Sequence, residues 1–135
     1  MRITTRGRYA LRASLALAKM GKDGVPVSIN ALSEQENISS VFLEQIFFKL
    51  RKAGLVTSIR GPGGGFSFAK PLDKLTVRQI LDAAGEELDL IFCEKHTDSC
   101  ERMGDCMSHK VWTDINSMVN KYFDSITVAS ILEKY

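Results

Sequence analysis

Residues 60–66 read "RGPGGGF", and the reading of that stretch decides the fold. Glycine is the costliest residue to order. Four in five positions therefore call for a backbone that turns tightly or lies close against something. The run before it, "ISSVFLEQIFFKLRKAGLV" (residues 38–56), supplies a helix and the start of a strand. On that helix Leu43, Ile46, Phe47 and Leu50 share one stripe, which the spacing assigns to a core. Val41, Gln45, Phe48 and Lys52 project the opposite way. "LVTSI" and "FSFAK" flank the glycines as two short strands, so "GPGGG" reads as the tip of a β-hairpin. A Walker-type phosphate loop would need Lys-Ser/Thr after the last glycine, and Phe66-Ser67 stands there instead.

Outward from the hairpin, helix signals are plain. "TTRGRYALRASLALAKMG" is a first helix, with Thr4 or Thr5 as N-cap and Gly21 as terminator. Ser28 caps a second, "INALSEQE", and Asn37 suits a turn that needs positive φ. Ser39 caps the third, from about Ser40 to Ala53, which Gly54 ends. Downstream, Thr76 caps "VRQILDAA" and Gly85 closes it. The pattern then dissolves into an acidic loop to Asp105. It re-forms as "CMSHKVWTDINSMVNKYF", and a short helix, "VASILEKY", follows.

Two helices across a tight turn, then a two-stranded ribbon, is the order of a winged helix-turn-helix. The expected fold is mainly α with a β wing. Three segments are expected: a DNA-binding domain over 1–84, a loop over 85–109, and a dimerisation helix with a short last helix over 110–135. A helix about 10–12 Å wide fits a major groove about 12 Å wide, so the third helix is the natural reader. Its candidate DNA-facing residues are Ser40, Val41, Glu44, Gln45, Phe48 and Lys52. On the wing they are Arg60, Gly61 and Gly63, with Arg60 suited to the negative potential of a narrow minor groove. A plain tight hairpin is the blander reading of the same glycines. Charge favours the DNA reading. The net charge is +2, but residues 1–70 hold eleven Lys and Arg against four Asp and Glu, whereas residues 71–135 hold seven against twelve. Within that basic half, Arg2, Arg6 and Arg8 are candidate phosphate contacts.

No stretch approaches the roughly 20 apolar residues of a membrane span. Arg12 and Lys19 bracket only Ala13 to Ala18, too short an apolar run for a secretory signal. A cytoplasmic protein is expected. In a reducing compartment Cys93, Cys100 and Cys106, with His109, suggest metal or redox chemistry. On the long helix Val111, Trp112, Ile115, Met118, Val119, Tyr122 and Phe123 recur at helical spacing. So wide an apolar arc favours a second copy of the chain as partner, with an intramolecular core as the alternative.

The stretches "MRITTRGRYAL", "ISSVFLEQIFFKLRKAGLV" and "RGPGGGF", with the three cysteines and His109, closely resemble the IscR-type iron–sulfur regulators of the Rrf-two family. The resemblance runs from Met1 to about Leu132. It implies a non-enzymatic, homodimeric transcription factor carrying a 2Fe–2S cluster on Cys93, Cys100, Cys106 and His109. Cluster occupancy or redox state would tune promoter binding, with iron–sulfur assembly genes as targets. It also implies Glu44 and Gln45 at the DNA face and Arg60 in the minor groove. Val41 and Phe48 depart from it, standing where small polar residues are expected. Their apolar surfaces suit thymine methyls. Six residues separate Cys93 from Cys100, one more than the resemblance predicts.

Three thiolates and a neutral imidazole around a 2Fe–2S core leave one net negative charge, against two for four thiolates. The competing readings of the cysteines are a Cys₃His zinc site, which lacks the usual C-x₂₋₄-C spacing, and a thiol–disulfide switch. His96 is the fallback fourth ligand. Two related regulators serve as alternatives: a cluster-free repressor of cysteine metabolism like CymR, and a nitric-oxide sensor like NsrR. The latter needs an aspartate where Arg8 stands.

Overall fold

The computed structural model describes residues 1–93 and 100–135. Three helices come first: α1 (Thr5–Met20), α2 (Ile29–Glu36) and α3 (Ser40–Lys52). Strands β1 (Val56–Ile59) and β2 (Gly65–Phe68) follow, then α4 (Val77–Ala84), α5 (Met107–Ser125) and α6 (Val128–Lys134). The expected fold class is what forms: mainly helical, with one two-stranded antiparallel sheet among the described residues.

Local chemistry explains most boundaries. Ser28 accepts the Ala31 N–H at the start of α2, and Thr76 forms a capping box with Gln79 at the start of α4. Asn37 closes α2 with φ of 53°. Two expected caps differ. Neither Ser39 nor Thr4 caps its own helix through the side chain. For α1 the substitute is a residue about eighty positions along the chain, described below.

The hairpin pairs Val56 with Phe68 and Ile59 with Gly65. Its four glycines divide into two kinds. Gly61 and Gly63 take φ of 95° and 72°, with open space where a Cβ would stand. Gly64 and Gly65 answer to the protein's own backbone: an added Cβ would lie 2.2 Å from the Ile59 carbonyl oxygen and 2.3 Å from Val27, respectively. Only the tip glycines are therefore free to lie against another molecule.

Leu43, Ile46, Phe47 and Leu50 of α3 are fully buried, as their spacing requires, together with Leu17, Leu32, Val56, Leu75 and Ile80. Val128 of α6 belongs to the same core. The Val77 N–H donates to Ile126 O, and the Val128 N–H to Leu75 O, so the chain's end is stitched onto the start of α4. A second, smaller cluster joins Val77, Leu81 and Leu88, with Ile3 and Phe123 packed against it.

Candidate nucleic-acid interface and cysteine–histidine site

The expected DNA-facing residues lie on α3 and on the hairpin. Val41, Glu44, Gln45, Phe48 and Lys52 are all exposed on α3, and Ser40 at its start is half-buried. Arg60, Gly61 and Gly63 are exposed at the hairpin. Arg51, which the sequence reading left aside, joins the two elements. Its guanidinium carbon lies 5.8 Å from the Phe48 ring centroid, and its Nη1 donates to Ser58 Oγ on β1 at 3.2 Å. The two basic carriers are thus tied at the surface as well as through the core.

The arginines of α1 separate. Arg2 and Arg8 are exposed. Arg6 is half-buried and its Nη2 donates to Gly85 O at 2.9 Å, at the C-terminal end of α4. A cation there complements the negative end of the helix dipole.

Beside it lies the missing cap. Glu86, 7% exposed, accepts the Thr4 N–H at 3.2 Å, the Gly7 N–H at 2.9 Å and the Thr4 hydroxyl. Burial alone would push this carboxyl up. The Thr4 hydroxyl, the Thr4 and Gly7 N–H groups and Arg6 together hold it below the ordinary glutamate range. A depressed native pKa contributes stability above the unfolded value, about 4.3, that is lost as pH falls through the native one. Acid unfolding should therefore show a Glu86→Gln difference that is largest above pH 5 and shrinks toward pH 3. A difference constant with pH would remove the charge from this account.

The acidic loop begins after α4, as expected, and its first residues are held in place. Gly85 to Leu90 is ordered by both neighbours: Leu88 is buried, the Leu90 N–H donates to Asn116 Oδ1 at 2.9 Å, and Asn116 Nδ2 donates to Asp89 Oδ1 at 3.2 Å. Glu86 and Asn116 were missed. Nothing local marks either, although a glycine inside α1 at position 7 was a hint, since a Cβ there would sit 2.6 Å from Glu86 Cγ.

Three residues beyond Leu90, Cys93 is half-buried and Cys100 exposed; His96 lies outside the described residues. Cys106 is the N-cap of α5, its Sγ accepting the His109 N–H at 3.4 Å. That bond, the Ser108 hydroxyl and N–H, and Arg102 hold its thiol below the ordinary cysteine range against the opposing effect of burial. Among the described residues no three His, Cys, Asp or Glu side chains converge as a metal site. The donor chemistry that fits is local: a thiol biased toward thiolate and an imidazole on the same first turn of α5.

The exposed apolar face of α5 comprises Met107, Val111, Trp112, Ile115, Met118 and Tyr122. Met107, 81% exposed, extends the expected stripe by a turn. Val119 is half-buried. Phe123 departs from it: its ring packs inward on Val77, Leu81 and Leu88, because the end of α5 closes over α4. Among the described residues no helix is long and apolar enough to cross a membrane.

The profile of the Rrf2 family, described as iron-dependent transcriptional regulators, matches residues 3–134. The chain belongs to the Rrf2 family. It is thus a DNA-binding transcriptional regulator and not an enzyme. A protein of Neisseria meningitidis named "Putative HTH-type transcriptional regulator" is 43% identical over 134 residues, covering 99% of this chain and 89% of that one. Among solved structures, IscR of T. potens superposes with a TM-score of 0.76 at 30% identity, over 98% of this chain and 87% of that one. CymR of B. subtilis, a global cysteine regulator, superposes with a TM-score of 0.81 at 29% identity, over 100% and 98%. The winged-helix, IscR-like identity expected of the Rrf2 chain is borne out at the level of fold and family.

Proposed function

We propose that this Rrf2 regulator is an IscR-like sensor that binds operator DNA as a homodimer and holds a 2Fe–2S cluster on Cys93, Cys100, Cys106 and His109. The observation carrying the reading is the first turn of α5, where Cys106 and His109 stand together and the thiol is biased toward the ligating form. Bound there, the cluster supplies a one-electron redox centre. The protein's own residues do the rest. Cys106 and His109 anchor one side of it on a helix N-terminus that favours negative charge. Leu88, Asp89 and Leu90 seat the approach to Cys93 on α4 and α5. Iron–sulfur assembly genes are the proposed targets.

On DNA, α3 enters the major groove with Ser40, Val41, Glu44, Gln45, Phe48 and Lys52, and each wing lays Arg60, Gly61 and Gly63 along a flanking minor groove. Arg2 and Arg8 meet phosphates. The apolar face of α5, from Met107 to Tyr122, packs on a second copy.

Two measurements test this. Protein purified without oxygen should be brown and contain iron and sulfide in near-equal amounts; colourless, iron-free material would favour the cysteine-regulator reading, which the CymR superposition supports. Arg60→Ala should weaken operator binding by about 1–3 kcal/mol and relax sequence preference at the groove edge. Unchanged binding by that variant would remove Arg60 from the interface.

A further inference from the structure

The segment that leads from α4 to Cys93 begins against two DNA-facing elements at once. A Cβ on Gly85 would lie 3.4 Å from Nζ of Lys49, on the reader helix, and 3.5 Å from Nη2 of Arg6, on α1. The next residue, Glu86, supplies both N–H acceptors and the hydroxyl acceptor that order Thr4 and Gly7. The first turn of an α-helix leaves its N–H groups without partners inside the helix. In α1 no local side chain meets them. A buried carboxylate 79 residues away from Gly7 does. Gly7 itself is the complement of that carboxylate, since any larger residue would drive Glu86 out.

We propose that Glu86 is a positioning residue for DNA binding, holding the first turn of α1 so that Arg2 and Arg8 face the phosphate backbone beside the reader helix. This rests on the reading of Arg2 and Arg8 as phosphate contacts. Glu86 does not touch DNA in this arrangement; it acts through Thr4 and Gly7. The same residue stands seven positions before Cys93. The connection bearing that cysteine therefore shares its anchor with the basic end of α1.

The sign of the effect separates positioning from simple charge. A carboxylate near a polyanion repels it, so deleting a bystander charge should tighten binding. Removing a positioning group should weaken it. Glu86→Gln keeps the shape but turns an amide toward the Thr4 N–H. Gly7→Ala keeps the charge and evicts the carboxylate by a methyl group.

The experiment uses the full chain, at a temperature where each variant is folded by circular dichroism, titrated with a mixed-sequence DNA duplex over a range of salt. Glu86→Gln and Gly7→Ala should each bind about tenfold more weakly. The slope of log K against log salt should become shallower by about 1–2, the loss of one or two phosphate contacts. Amide exchange at Gly7 should quicken in Glu86→Gln. Tighter binding by Glu86→Gln, or wild-type affinity and slope in both variants, would overturn the proposal. Arg8→Ala is the control for the underlying reading. If it shallows the slope while the Glu86 and Gly7 variants do not, positioning fails alone. If it changes nothing, the phosphate reading fails and takes the proposal with it. Neither readout requires iron.

Discussion

Cys106→Ser is expected to yield a folded, colourless protein with iron at background, purified beside brown wild type. The substitution isolates the donor atom, because serine is at least as good an N-cap as the residue it replaces. Cys106 Sγ now accepts the His109 N–H at the start of α5, and a serine hydroxyl makes the same bond at a shorter distance. Helix α5, 19 residues long, should therefore keep its helicity by circular dichroism. What is lost is a soft anionic donor whose thiol is already biased toward thiolate by His109, Ser108 and Arg102. Cys106→Ala removes donor and cap together and serves as the contrast: iron lost, and α5 frayed at its first turn by about 1 kcal/mol. If Cys106→Ser retained wild-type iron and colour, Cys106 would not be a ligand, and the proposed ligand set would lose its best-placed member.

Phe47→Ala is expected to cost about 3–5 kcal/mol, out of a total stability of about 5–15 kcal/mol for a domain of this kind. Phe47 is wholly buried on α3, and its ring stands 5.0 Å from that of Phe66 on β2. Phe66 in turn exchanges backbone hydrogen bonds with Val27, ahead of α2. One side chain thus holds reader helix, wing and helix-turn-helix to a common core. The cavity left by truncation should lower the melting temperature by about 10 °C or more. Phe48→Ala, one residue on, should cost less than about 1 kcal/mol, because that ring is exposed and gives up little beyond its contact with Arg51. Phe48→Ala should instead weaken specific DNA binding. Equal destabilisation by the two variants would contradict the assignment of faces on α3.

This contrast between neighbouring phenylalanines is legible in the sequence, because a 3.6-residue period sorts a helix into faces without reference to the rest of the fold. The same holds for the caps at Ser28 and Thr76 and for the left-handed turn at Asn37, whose causes lie within four residues. Where a cause lies farther along the chain, the sequence shows the residue but not its partner. Thr4 occupies its expected N-cap position without capping through its side chain. At Thr4 the acceptor that serves the first turn comes from Glu86. Phe123 has the spacing of the exposed α5 stripe, but the closure of α5 over α4 turns it inward. Arg6 has the charge of a phosphate contact, and its Nη2 also donates to the Gly85 carbonyl, a partner that no local pattern announces. The cysteines show the same boundary: their presence and order are sequence facts, while any convergence into one site is a matter of tertiary structure.

By itself the sequence determined the local grammar of this protein: helix faces, most turns, the hairpin, the basic and acidic halves, and the residue types available for chemistry. Each follows from backbone sterics, side-chain period or summed charge over a few neighbouring positions. Tertiary structure alone decided which polar groups meet across the fold. Glu86 became a helix cap, Gly65 became a close-approach residue against Val27, and Val128 joined the main core. The reason is that a buried carboxylate or a missing Cβ is explained by its neighbours in space, and those neighbours lie tens of residues away along the chain.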